Sequence, residues 1–181
     1  EDSGVVEPDT ILPELEYPTD PKGPFVRPGT YTVTLRAGDA TATEPVEVRG
    51  DPAIEMTAEQ WRARESFLVD LLDAQRRVFR ASRRADSLHE QLETQRENIE
   101  GEAPDDLQAL VDSAETHADA LTDLRYDLYG LAGGFNWSGV TQPSLRAPTP
   151  THRDRKERLE ARLQAAIEQF RAFEQTAMAV R

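Results

Sequence analysis

The fold is decided by residues 57–100, which read TAEQWRARESFLVDLLDAQRRVFRASRRADSLHEQLETQRENIE. This stretch contains neither proline nor glycine, and its apolar residues recur near every third or fourth position. Such spacing predicts a helix with one apolar stripe, up to about 66 Å long at 1.5 Å per residue. Thr57, with Gln60 three residues later, is typical of a capping box at the first turn. The stripe consists of Trp61, Leu68, Leu71, Leu72, Val78, Phe79, Ala85, Leu88, Leu92 and Ile99.

A second helix is predicted over about residues 104–130. Pro104 suits a first helical turn, and the leucines and alanines that follow it are spaced close to a heptad. Only the residues around Gly101–Ala103 separate it from the first helix, and so short a connection requires the two helices to be antiparallel. We expect three glycines to end this helix, namely Gly130, Gly133 and Gly134.

A third helix is predicted over residues 151–181, after a loop of about 20 residues that is rich in glycine and proline near its ends. Thr151 is the expected N-cap, because threonine readily accepts a hydrogen bond from the first helical turn. A third apolar stripe runs through this segment. The three stripes together predict an antiparallel three-helix bundle over residues 57–181.

Residues 29–56 carry the one clear β pattern of the sequence. Threonines alternate with Tyr31, Val33 and Leu35, so that the apolar side chains share one face of a strand. Gly38-Asp39 forms the turn, and a second β-rich segment returns from it. Because a lone hairpin is only marginally stable, we expect it to be covered by further strands, by the bundle or by a partner. Its edge can accept a strand from another chain.

Residues 1–28 form an extended arm that contains six prolines. Prolines this dense exclude a helix and favour extended chain. The arm also carries many apolar side chains, and we expect it to lie along another surface. That surface is either the bundle of the same chain or a partner protein. The candidate contact residues on the arm are Leu12, Leu15, Tyr17 and Phe25.

The predicted fold class is therefore mainly α with a small β part. An extended arm precedes a β-hairpin or partial Ig-like sandwich, and a three-helix antiparallel bundle follows. The chain has 181 residues and a formal net charge of −13, so that nucleic acid is a poor partner. It contains no cysteine, which excludes disulfides, cysteine-ligated metal and thiol catalysis. No apolar run approaches the roughly 20 residues of a transmembrane helix.

No residue pattern in the sequence indicates catalysis, a cofactor or a metal. His89 and Glu93 are one helical turn apart and offer two ligands, but no third ligand is spaced to join them. The many carboxylates alternate with arginines on helical faces, where solvated or paired side chains are the usual outcome. We therefore expect a protein that is not an enzyme.

The loop after the second helix is the strongest recognition candidate. Phe135 and Trp137 stand beside glycines, and large aromatic side chains often dominate protein interfaces. The alternative is that both rings fold back and plug the open end of the bundle. The expected partner in the first case is a protein.

The hairpin sequence resembles a known family. The residues that carry the resemblance are PGTYTVTL at 28–35, EPVEV at 44–48 and Asp51-Pro52, directly before the long helix. They resemble the C-terminal tail of bacterial sortilin-like, BNR-repeat (glycosyl hydrolase-like) propeller proteins, in which an Ig-like sandwich precedes a helical bundle. The resemblance covers about residues 24–181. The propeller and most sandwich strands have no counterpart, so that no enzymatic role is implied for any residue here.

The resemblance implies an extracytoplasmic, periplasmic location at the membrane surface. The favoured hypothesis is a scaffold subunit that stabilises a larger membrane complex, with a photosynthetic reaction centre–light-harvesting complex as the specific candidate. One alternative is an accessory module of a propeller hydrolase. Another is a self-associating helical protein. Because the chain starts at Glu1 and has no signal-like segment, we expect a processed chain or a fragment of a longer protein.

Overall fold

The structure, a computed structural model, describes residues 23–52, 54–99, 101, 103–136 and 145–179. Two strands, β1 (Gly29–Ala37) and β2 (Ala40–Val48), precede three helices, α1 (Ala58–Glu97), α2 (Asp105–Asn136) and α3 (Pro150–Ala179). The prediction of a mainly α chain with a small β part is confirmed. Within the described residues the sheet consists of β1 and β2 alone, so that they supply a hairpin without further strands of a sandwich.

The first turn of α1 is held by the predicted capping box. The backbone N–H of Gln60 donates to the Thr57 hydroxyl at 3.2 Å, and the Thr57 N–H donates to the Gln60 side-chain oxygen at 2.8 Å. Two backbone donors that lack a partner within the helix are thereby satisfied. The helix ends at Glu97, three residues before the predicted end, and Gly101 turns the chain with φ 105°.

The contacts between helices fix their directions. From the start of α3 to its end, Lys156 bonds Asp70 at 2.8 Å, Gln164 bonds Arg77 at 2.8 Å, and Glu174 bonds Arg84. The residue numbers of the bonded partners increase in the same direction along both helices, so α3 runs parallel to α1. α3 runs antiparallel to α2, since Arg162 bonds Asp127 and, further along α3, the Phe173 ring packs on His117.

One continuous apolar core runs along the bundle. Leu71, Val78, Ala85, Ala114, Leu128 and Leu163 are each 0% exposed, and they come from all three helices. Because the stripe of every helix faces the other two, burial of these side chains is the main stabilising term. The predicted antiparallel bundle is present, and its core does not extend to the hairpin.

The predicted end of the second helix is wrong. α2 continues through all three glycines to Asn136. Neither Gly130 nor Gly134 has a positive φ, and a Cβ built on either of them meets no atom within 4 Å. The helix continues because Leu131 and Phe135 are buried, at 4% and 1% exposed. The free energy gained by burying these two side chains outweighs the low helix propensity of the glycines.

The predicted cap of the third helix is also wrong, by two residues. Thr149 accepts the N–H of His152 at 3.4 Å, and Pro150 is the first residue of α3. Proline suits this position because its fixed φ matches the helix and its missing N–H would lack a helical partner. Thr151 is therefore an ordinary residue of the first turn.

The hairpin is built on a tight two-residue turn. Gly38 has φ 58° and Asp39 a negative φ, as in a type II′ turn, which favours the right-handed twist of a hairpin. β1 and β2 pair antiparallel from Ala37↔Ala40 at the turn to Gly29↔Val48 at the base. This register places every apolar residue of both strands except Pro45 on one face.

We predict that Gly130→Ala stabilises the bundle by about 0.5–1 kcal/mol, because alanine restricts the unfolded chain and has free space in the folded helix. Chemical denaturation followed by circular dichroism measures this free energy of unfolding. Gly101→Ala is the control, since Gly101 connects α1 to α2 with a φ of 105°, at which alanine is strained. A loss of stability in Gly130→Ala would contradict a continuous α2.

Candidate interaction surface

The most exposed apolar surface of the described residues lies on the hairpin. Val33, Leu35 and Val46 are 54%, 67% and 43% exposed, and they share one face with the half-buried Tyr31 and Val48. We call these five side chains the apolar face. Glu44, the cross-strand partner of Val33, lies on the same face and is its one charged residue. Singly exposed hydrophobic residues are common on proteins, but a group of neighbouring apolar side chains is typical of an interaction site.

The opposite face of the hairpin is polar. Thr30, Thr32 and Thr34 of β1 lie on it, across from β2 residues that include Thr43 and Glu47. This two-sided pattern is that of a sheet with one buried and one solvated face. Neither strand packs on any helix within the described part of the chain. The apolar face therefore lacks a cover from the bundle.

The base of the hairpin is joined to the start of α1. Arg27 forms an ion pair with Glu65 at 2.9 Å, and the Tyr31 hydroxyl donates to the Arg27 carbonyl at 2.8 Å. Gly50 lies between Pro28 and Trp61: a Cβ at this position would be 3.1 Å from the proline ring and 3.9 Å from the indole. Since the ion pair is exposed, it contributes little, and the close approach of Pro28 and Trp61 to Gly50 is the second contact at this junction.

The predicted contact residues fall into three groups. Leu12, Leu15, Tyr17 and Trp137 lie outside the described residues. Phe25 is 51% exposed and its neighbour Val26 is 54% exposed, and both precede β1 in the chain. It stays a candidate contact residue.

Phe135 is not an exposed anchor. Its side chain is 1% exposed, and its ring packs on Phe67 at 5.2 Å and on His152 at 5.0 Å between centroids. The alternative prediction, that this ring plugs the end of the bundle, is the correct one for Phe135. An aromatic side chain in the last turn of a helix is drawn inward because burial there removes its large apolar area from water.

The same end of the bundle contains a buried arginine. Arg64 of α1 is 1% exposed, and its guanidinium donates to the Phe135 carbonyl at 2.7 Å. This carbonyl belongs to the last turn of α2, where backbone oxygens lack helical donors and the helix dipole favours a cation. Burial lowers the pKa of Arg64. The arginine fixes the end of α2 beside the helix that carries the hairpin.

His152 completes this end of the bundle by capping α3. The backbone N–H of Thr149 donates to its Nδ1 at 3.1 Å, in the position that Gln60 occupies in α1. An accepting Nδ1 requires the proton to be on Nε2. Burial lowers the pKa of His152, and the charges of Arg146 and Arg155 lower it further.

The described residues offer no other feature that indicates a specific ligand. No group of three or more histidine and carboxylate side chains in that part of the chain is placed to hold a metal ion. His89 and Glu93 are 3.9 Å apart, as one pair on the surface of α1. Within the same residues, no helix is both long and apolar enough to cross a membrane.

Sequence reasoning identified the alternation in β1 and β2 but did not name Val33, Leu35 or Val46 as contact residues. The period-2 pattern was a sufficient signal for the face. What it could not provide is the position of the helices, which leaves this face open. The sequence contains no signal for the role of Arg64, because its partner Phe135 is 71 positions away. It contains none for His152 either, because the cap that this residue completes begins at Thr149, before Pro150.

We predict that acid weakens the fold partly through His152. A folded pKa below the usual value near 6.5 means that the unfolded chain binds the proton more readily. The contribution of the neutral ring is thus complete above about pH 6.5 and is lost as the pH falls toward the lowered folded pKa. Protonation also removes the acceptor of the cap and places a cation at a helix N-terminus.

The measurement is thermal unfolding between pH 8 and pH 5 of the native chain and of His152→Gln, which keeps an acceptor for the cap. The native chain should lose more stability than the variant over this range. His117, whose pKa burial also lowers, is present in both proteins and cancels in the comparison. Equal losses in the two proteins would contradict the assignment.

Comparisons of the chain with protein-family models, with curated proteins and with solved structures found no match. The resemblance to sortilin-like propeller tails therefore stays a hypothesis based on the hairpin sequence. The functional argument depends on the geometry of this chain alone.

Proposed function

We propose that this protein is a non-catalytic interaction module in which a helical bundle presents a β-hairpin whose apolar face docks on a protein partner. The observation that carries the proposal is the exposure of Val33, Leu35 and Val46 on one face, with no helix of the described chain covering them. Side chains of this type contribute about 1.5–3 kcal/mol each when they are fully buried.

The bundle supports this role as a rigid platform. Its core consists of side chains from the three helices, Phe135 among them, and it takes no side chain from the hairpin. The base of the hairpin is held by the packing of Pro28 and Trp61 around Gly50. A pre-positioned docking element loses less conformational entropy on binding than a free segment does.

The proposed partner is a protein of a larger assembly at the extracytoplasmic face of a membrane. Two observations favour a protein over nucleic acid or bare anionic lipid: the net charge of −13 and the apolar character of the docking face. The periplasmic location has the family resemblance as its support. A photosynthetic reaction centre–light-harvesting complex as the assembly rests only on the likeness of a small exported module to the extrinsic subunits of membrane complexes.

A second candidate function has support from the same observation. A hairpin with one bare apolar face is what remains when a sheet is separated from its other strands. The chain would then be an accessory module of a longer propeller protein, and the face would be covered within one polypeptide. Immunoblotting of the producing cells distinguishes the two: a band near 20.3 kDa supports the separate module, and a much larger band supports the accessory one.

We predict that the double variant Val33→Thr/Leu35→Thr binds its partner at least ~100-fold more weakly. Each threonine keeps the β-propensity of the site but removes a buried apolar group, and the two losses add to about 3 kcal/mol or more. Co-purification from native membranes in mild detergent, with mass spectrometry of the retained proteins, identifies the assembly. Titration of the purified assembly then provides the Kd.

The matched control is Thr32→Ser/Thr34→Ser, on the polar face of the same strand, which should leave the Kd within about twofold. Circular dichroism of both variants checks that the bundle is intact. Equal binding by the native chain and the apolar-face variant would refute the proposal. Loss of binding in the control alone would place the contact on the opposite face. A doubled mass of the free chain in sedimentation would favour self-association.

A further inference from the structure

The two outer edges of the hairpin are not equivalent. In a two-residue hairpin, the pair that flanks the turn exchanges both backbone hydrogen bonds, and bonded pairs alternate with non-bonded pairs from there on. The flanking pair is Ala37↔Ala40, so that Thr34↔Thr43 and Thr32↔Pro45 are non-bonded pairs. The backbone N–H and C=O groups of non-bonded pairs point away from the partner strand, toward the outer edges.

The outer edge of β2 is interrupted. Its outward-pointing residues are Thr41, Thr43, Pro45 and Glu47, and proline has no N–H to donate. A proline at this place is a common device that prevents the addition of another strand. The ladder inside the hairpin is unaffected, because the nitrogen of Pro45 faces outward.

The outer edge of β1 is intact. Its outward-pointing residues are Thr30, Thr32, Thr34 and Arg36, and each has both an N–H donor and a C=O acceptor. Within the described residues no strand pairs with this edge. A strand added here would also extend the apolar face beyond Tyr31, Val33 and Leu35, since it would place its own alternate side chains beside theirs.

A second copy of this chain is a poor occupant. Each strand has 9 residues, so that one face of the hairpin measures about 30 Å by 10 Å at ~3.4 Å per residue and ~4.8 Å between strands. Two such faces together would bury about 600 Å², roughly half of what a specific stable interface needs. Two copies would also bring together two chains of net charge −13.

We infer that the partner adds an extended strand to the outer edge of β1, with alternating apolar side chains that continue the apolar face. This inference rests on the proposed function, because it specifies how the partner occupies the same hairpin. Main-chain hydrogen bonds along the edge provide affinity, and the alternating side chains provide selection, as in other cases of strand addition. The edge of β2 takes no part.

The probe is a peptide as long as β1, 9 residues, in which threonine and valine alternate between terminal lysines. Amide exchange followed by NMR on the full chain reports each edge separately. With the peptide in excess, the amides of Thr30, Thr32, Thr34 and Arg36 should exchange at least tenfold more slowly. The outward amides of β2 should not change.

Two variants of a single cross-strand pair form a matched test. Thr34→Pro removes the donor from the edge of β1, and Thr43→Pro removes it from the edge of β2 at the same level of the ladder. Both prolines occupy a non-bonded pair, as Pro45 already does, so that the cost within the hairpin is similar. Thr34→Pro should abolish the peptide-induced protection, and Thr43→Pro should retain it.

Several results would overturn the inference. Equal protection of both edges, or no protection at millimolar peptide, would refute strand addition to β1. Protection of the same amides before any peptide is added would mean that the edge is already occupied, by residues 1–22 in a monomer or by a second copy if the mass is doubled. If the variants do not form the hairpin, the exchange pattern of the native chain still decides between the edges.

The failure of this inference is distinguishable from failure of the proposed function. Docking through side chains alone would leave Thr34→Pro binding the purified assembly as tightly as Thr43→Pro does, while Val33→Thr/Leu35→Thr still weakens it. That result would refute strand addition and retain the interaction module. If none of these three variants changes binding to the assembly, the hairpin is not the docking element and both proposals are wrong.

Discussion

Burial of one apolar stripe along α1 is the constraint on which the rest of this structure depends. Leu71 and Val78 on that stripe are fully buried against α2 and α3. Because the stripe has neither proline nor glycine to interrupt it, α1 forms a single rod of 40 residues that fixes the position of every other element. Each of the ion pairs Arg84–Glu174 and Lys156–Asp70 between α1 and α3 has one exposed partner, so that its contribution to stability is modest.

The hairpin takes no part in the core of the bundle. The apolar side chains of the three helices pack against one another, and Phe135 fills the end of the bundle that is next to the hairpin. No described helix packs on either strand of the hairpin, so that none of them covers Val33 or Leu35. The hairpin therefore has its own amphipathic pattern without its own core, a combination that favours completion by another polypeptide segment.

The end of the bundle near Phe135 illustrates how local preference and tertiary contact compete. Glycines at 130, 133 and 134 favour a helix stop, yet α2 continues past them to Asn136. Two contacts compensate: the burial of Phe135 and the hydrogen bond from Arg64 to its carbonyl. Neither contact can be read from a local window, because Arg64 is 71 positions away in the chain. The role of His152 is local, but it was missed because histidine here takes the place that glutamate or glutamine usually has in a capping box.

The sequence by itself determined the three helices, the hairpin and the faces of its strands, because helical and β periodicities are local properties of the chain. It also determined the cap of α1, since Thr57 and Gln60 are only three residues apart. Only the tertiary structure decided that Phe135 is a core residue and that none of the described helices covers the apolar face. Those outcomes depend on where the helices lie relative to one another, and packing between distant segments is not encoded in any short stretch of residues. The unequal edges of the hairpin lie between these two cases: Pro45 is visible in the sequence, but the direction of its nitrogen follows from the register that the Gly38 turn imposes.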